Sequence, residues 1–274
     1  MLSSFLIALR EGLEASLIIG ILLAYIVKTG RSNLVPALWG GVAAALALSL
    51  ALGGFLNFTS AELTSRGEEL FAGTTSLVAV VLVTGMVFWL KETSRALRDE
   101  LHGKVDRAAK FGSFAMASAA FFAVAREGLE TSLFIYSNFK ATGSKTPAAF
   151  GLGAGLLFAV SLGYLIYKRA IRINLSKFFT ITGVALIVVA AGVLSYAVHE
   201  FQELGWLPGV DSFAWDLSAL IPTSSVLGSF LSGTIGFDPS MSWLQLLIWT
   251  SYLAGTLALY LKPAKSTSSL VTAK

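Results

Sequence analysis

The chain alternates long apolar runs with short polar connections. About 20 consecutive apolar residues suffice to cross a bilayer as a helix. Seven such runs stand near residues 4 to 28, 35 to 57, 70 to 90, 113 to 138, 148 to 168, 178 to 198 and 243 to 261, and they predict seven transmembrane helices. The stretch from 199 to 242 is too long for a simple connection. It holds Trp206, Pro208, Trp215 and Pro222 and is expected along the outer surface, with room for a re-entrant piece near Val226 to Phe237.

Composition agrees with that pattern. Of 274 residues, 55% are hydrophobic and 13% charged, and the mean hydropathy is +0.74, which excludes a soluble domain. The expected fold class is an all-α polytopic membrane protein. It has one transmembrane domain over residues 1–261 and a cytoplasmic tail at 262–274. The first run lacks a basic leader and carries Arg10, Glu11 and Glu14, so it reads as a retained span rather than a cleaved signal.

Charge placement orients the helices. Fifteen of the 20 Lys and Arg side chains fall in connections on one side, among them Lys28, Arg31, Lys91 to Lys110 and Lys168 to Lys177. Only Arg66, Lys140 and Lys145 fall on the other. The positive-inside rule then places the N-terminus outside and the C-terminus in the cytoplasm. Acids gather outside, at Glu62, Glu68, Glu69, Glu200, Glu203, Asp211, Asp216 and Asp238, a field that attracts cations. The basic pI of about 9.3 follows from the inner connections. No basic cluster interleaved with stacking aromatics is present, so nucleic acid is excluded as a partner. There is no cysteine, so a metal has only oxygen ligands, His102 or His199 available.

Two segments interrupt the apolar pattern, Arg10-Glu11-Gly12-Leu13-Glu14 and Arg126-Glu127-Gly128-Leu129-Glu130. An ionisable group at the bilayer centre costs roughly 2.5 to 3.5 kcal/mol on insertion scales, so a chain that repeats the expense is building a site. At about 100° per residue, Arg10, Glu11 and Glu14 share one face of a helix while Gly12, Ser16 and Gly20 line the opposite one. The small residues allow a neighbouring helix to approach closely. Gly128 and Ser132 repeat that strip, with Tyr136 at its third place. Arg10–Glu14 and Arg126–Glu130 pairs, each at i, i+4, are one reading of these residues, but they leave Glu11 and Glu127 buried without partners.

The motifs fall on the first and fourth spans, so units of three spans run in opposite directions. That is a 3+3 inverted-topology repeat, about 1–91 and 111–198, with the seventh helix at 243–261 left over. Depth brings Glu11 opposite Glu130 and Glu14 opposite Glu127. Four carboxylates against two arginines leave negative charge that a multivalent cation would neutralise, and hard cations prefer oxygen. Secondary candidates lie at the outer mouth: Glu68 and Glu69 opening the third helix, and His199, Glu200 and Glu203 closing the sixth.

A doubled Arg-Glu-Gly-Leu-Glu on the first and fourth of seven spans resembles the high-affinity iron permease family, the oxidase-coupled fungal ferric permeases and bacterial EfeU-type permeases. The resemblance runs end to end. It includes Phe5-Leu6-Ile7, Phe121-Phe122-Ala123-Val124-Ala125, Glu69-Leu70-Phe71, Val87-Phe88-Trp89, His199-Glu200 and Gly205-Trp206. It implies a transporter rather than an enzyme, importing iron, ferric or ferrous, as substrate with no organic cofactor. It also implies Glu11, Glu14, Glu127 and Glu130 as metal ligands, with Arg10 and Arg126 as essential neighbours. The implied partners are iron ions, membrane lipid and an extracytoplasmic protein that oxidises or delivers iron. Relatives often carry a second acid where this chain has Ala72. Two alternatives stand beside it: an intramembrane carboxylate-iron oxidoreductase, which usually needs a Glu-x-x-His motif absent from these spans, and a permease for another metal such as manganese or lead.

Overall fold

The computed structural model describes residues 1–93, 112–142, 145–168, 174–222 and 225–262. Eight α-helices are present there: α1 (Leu2–Lys28), α2 (Val35–Glu62), α3 (Ser65–Thr93), α4 (Ser113–Thr142), α5 (Lys145–Tyr167), α6 (Leu175–Glu203), α7 (Val226–Ile235) and α8 (Trp243–Leu261). A 3-10 turn at Ser32–Leu34 leads into α2. No strand occurs among the described residues, only an isolated bridge between Phe213 and Ser242.

Five helices, α2, α3, α5, α6 and α8, are long and apolar enough to cross a bilayer. The two other long ones, α1 with 27 residues and α4 with 30, carry the ionisable motifs.

Local chemistry sets the helix ends. At the start of α6, the Asn174 side chain accepts a hydrogen bond from the Lys177 N–H. A reciprocal capping box of Ser242 and Gln245 opens α8, satisfying two amide groups that the first turn would leave unpaired. Gly236, at φ 67°, closes α7 in the left-handed region where glycine carries no steric cost.

The long helices pack as interleaved pairs. The chief partner of α1 is α5, that of α2 is α4, and α3 lies against α6, with α8 on the flank of α6. Small residues make the first two contacts possible. Gly12 faces Ala159 and Leu156, and Ser16 faces Gly163. In the matching contact Gly128 faces Ser49, and the Ser132 hydroxyl donates to the Ser49 carbonyl at 2.8 Å. The strip predicted on α1 and α4 is thus met by strips on α2 (Gly41, Ser49, Gly53) and α5 (Gly151, Gly155, Gly163) that the sequence reading did not single out.

The bundle has two faces. One holds the N-terminus, the start of α3 and the ends of α4 and α6, and will be called the N-terminal face. The other holds Lys28, Lys91 and Lys262. Short helix α7 enters the bundle from the N-terminal face and touches α1, α4 and α6. Its terminal Gly236 abuts Gly192 so closely that a Cβ on Gly236 would lie 2.0 Å from the Gly192 Cα. Gly192 stands eleven residues before the end of α6, about 16 Å along that helix. The segment anticipated near Val226 to Phe237 therefore dips between the long helices.

Candidate metal centre

The motif residues meet where α1 crosses α4. Because both carboxylates of a motif lie on one helical face, the crossing brings three of the four together. One carboxylate oxygen from each of Glu11, Glu14 and Glu127 lies within 4.8 Å of the other two. All three residues are buried, at 1%, 4% and 4% exposure. Glu130 stands outside this group of three. The Arg126 Nε donates to its Oε1 at 3.1 Å, as the Arg10 Nε donates to Glu14 Oε1 at 3.1 Å.

The ion pairs do not exhaust the acids. Both oxygens of Glu11, Oε2 of Glu127 and Oε2 of Glu130 are buried, and no donor outside the carboxylates reaches them. Burying a charged oxygen without compensation is costly, and native structures pair such groups or coordinate a cation with them. Octahedral ligands at about 2.1 Å from a metal stand about 3 to 4.2 Å apart, so small side-chain rotations would close this triangle on an ion. The chemistry of the group is a hard-oxygen cation site balanced by arginine.

The two motifs, identical over five residues, sit in different surroundings. Arg10 is 1% exposed. The Arg126 side chain is 42% exposed, and its guanidinium lies 4.3 Å from the ring centroid of Trp89, near the end of α3 and two residues before Lys91. One arginine is sealed inside the bundle while the other reaches toward the face opposite the N-terminus.

The secondary candidates gather at the N-terminal face. Lys140 at the end of α4 forms an ion pair with Glu68. Glu200 interacts electrostatically with His199, Glu68 and Glu69, and its Cβ would lie 3.3 Å from a methyl on Gly73, one turn beyond Glu69. His199 Nε2 lies 3.8 Å from Glu203 Oε1. Ala72 is buried at 1% and contributes no charge there. In the loop beyond, Asp216 accepts from the Ser218 N–H and hydroxyl, bonds that hold its carboxyl below the usual value, as a turn acid does. His102 lies outside the described residues.

Sequence reasoning missed the polar contact above the cluster. The hydroxyls of Ser3 and Ser4 both donate to Asn138 Oδ1, at 2.9 and 3.3 Å, across the α1–α4 crossing. Three uncharged polar residues at the ends of two apolar runs carry no periodic signal, so only the crossing reveals them.

The chain matches the family described as Iron permease FTR1 family over residues 1–271. It is 38% identical over 265 residues to the ferrous iron permease EfeU of Escherichia coli O6:H1, covering 96% of each chain. It is similarly 38% identical to that of Shigella sonnei, with the same coverage. To the ferrous iron permease EfeU of Yersinia pestis it is 37% identical over 268 residues, covering 96% of this chain and 94% of the relative. No solved structure matches it.

Proposed function

The chain belongs to the Iron permease FTR1 family, and from that premise we propose that it imports ferrous iron across the cytoplasmic membrane. Its relatives are named permeases, not enzymes. The observation that carries the reading is the Glu11 carboxylate, buried and with an oxygen within 4.8 Å of Glu14 and Glu127 oxygens. Such a group waits for a cation. Glu11, Glu14 and Glu127 bind iron first, Glu130 joins as Arg126 releases it, and Arg10 holds Glu14 in place.

The architecture in this reading is seven spans, α1 to α6 and α8, with α1 to α3 and α4 to α6 as inverted repeats. The equivalence of contacts supports it. Gly12 on Ala159 matches Gly128 on Ser49, and Ser16 on Gly163 matches Ser132 beside Gly53. An exchange of halves maps α1–α5 onto α4–α2 and leaves α3–α6 on the axis, as inverted repeats require. The distribution of Lys and Arg supports an N-terminal face outside and a cytoplasmic C-terminus. Glu68, Glu69, His199, Glu200 and Glu203 then form the outer mouth that collects iron, presented by an extracytoplasmic protein that delivers or oxidises it.

The test is uptake of radiolabelled ferrous iron into proteoliposomes holding the native protein or Glu11→Gln, Glu14→Gln, Glu127→Gln or Glu130→Gln. Uptake should fall at least about tenfold in the first three, since each removes a charge the buried site depends on. Native rates in all four variants would sink the carboxylate site. Competition by manganese or lead in the same vesicles measures selectivity.

A further inference from the structure

Near the N-terminal face the structure shows a cavity, a polar clasp at its wall and an apolar cluster that reaches the same cavity through Val189. The cavity, about 280 Å³, is lined by Asn138, Ser195, Tyr196, His199 and Asp238 among others. Ser195 is 2% exposed and its hydroxyl has no hydrogen-bond partner, so the lining is prepared for water or a hydrated ion. Asn138 is both part of that lining and the acceptor for Ser3 and Ser4. These three residues are 3%, 0% and 0% exposed. Ser3 lies eight residues before Glu11, and Asn138 eight after Glu130, about 12 Å along each helix. Asn138 therefore stands at the cavity wall and, with Ser3 and Ser4, one layer above the carboxylates. Ile7 and Phe134, buried at 1% and 3% in one apolar cluster, fill the space beneath it.

The other side of the cluster is built differently. In step with the motifs, Ser3, Ser4 and Ile7 correspond to Ala119, Ala120 and Ala123, while Asn138 and Phe134 correspond to Leu22 and Ile18. No polar clasp repeats there, and smaller side chains replace Ile7 and Phe134. The arginine on that side, Arg126, is exposed where Arg10 is sealed.

We propose that Asn138, held by Ser3 and Ser4, is the outer gate on the path to the carboxylates, shut in this structure. This rests on the permease reading above. The physical reason for a polar gate is reversibility. Hydroxyl and amide can trade their mutual hydrogen bonds for bonds to water or to the hydration shell of an arriving divalent cation, whereas a wholly apolar seal offers water no partner. Inverted repeats then imply a second state in which the halves exchange roles, Arg10 becoming exposed and Arg126 sealed.

The chain has no cysteine, so introduced thiols report cleanly. An Ile7→Cys thiol, beneath the gate, is treated with a membrane-impermeant thiosulfonate outside right-side-out vesicles, with Asn138 native or replaced by Ala. Labelling should accelerate at least about tenfold when the clasp is removed; equal rates would overturn the gate. In a second arm, Ser3→Cys and Asn138→Cys are bridged by a short bifunctional thiosulfonate. Ferrous iron uptake should fall at least about tenfold and return on reduction, and undiminished uptake by bridged protein would also overturn it. The labelling arm needs no iron and judges the gate alone, whereas native vesicles that take up no iron overturn the permease reading instead.

Discussion

At the scale of single residues, the two arginines separate stability from function. Arg10 is enclosed with Glu14, so Arg10→Gln leaves a buried carboxylate unpaired, a loss of about 3 to 5 kcal/mol in comparable cases. Arg126 is 42% exposed and Glu130 12%, and the Arg126 guanidinium already rests on the Trp89 ring, so losing it uncovers a less deeply enclosed charge and costs less. Thermal unfolding in detergent should therefore show a large drop in Tm for Arg10→Gln and a smaller one for Arg126→Gln; equal drops would contradict the difference in burial. Glu11→Gln should act on the site rather than the fold: the increase in Tm on adding ferrous iron should disappear. The motifs themselves were legible in the sequence, because ionisable residues in an apolar run stand out. Their inequality was not: five identical residues appear twice, and only the neighbours, Trp89 beside one arginine and a closed bundle around the other, distinguish them. Nor did spacing show that Glu11, Glu14 and Glu127 group together while Glu130 stands aside, since ligand distances depend on how α1 crosses α4.

At the scale of elements, hydropathy located each long helix within a few residues and placed the last at Trp243–Leu261, as found. The short α7 was anticipated only as a segment, because ten residues between two polar stretches are too few for a span signal. Least visible were the small-residue strips of α2 and α5, where glycine, alanine and serine are averaged among leucines. Their contacts permit a sharp comparison. A Cβ on Gly41 would lie 2.1 Å from the Ala117 carbonyl oxygen, whereas one on Gly40 meets nothing within 4 Å. Gly41→Ala should destabilise the α2–α4 contact by about 1 to 3 kcal/mol through overpacking, lowering Tm and the yield of monodisperse protein, with Gly40→Ala close to native. Similar behaviour of the two would mean the helices are not so closely applied.

At the scale of the whole molecule, orientation follows from where the basic residues were left. Single cysteines at Lys28 and at Glu62, at opposite ends of the first two long helices, should be labelled by impermeant reagents only from the cytoplasm and only from outside, respectively; the reverse pattern would invert the assignment of mouth and exit. The interleaved pairing of the halves bears also on how the chain is made. Neither α1 nor α2 meets its chief partner until α5 and α4 have been synthesised, and until then the first motif has only lipid and its nearest neighbours around it. A ribosome that stops at Thr93 releases a half-protein with its charges uncovered, which pulse-chase labelling should find degraded faster than the full chain. The first span must therefore wait near the insertion machinery for a companion translated more than a hundred residues later.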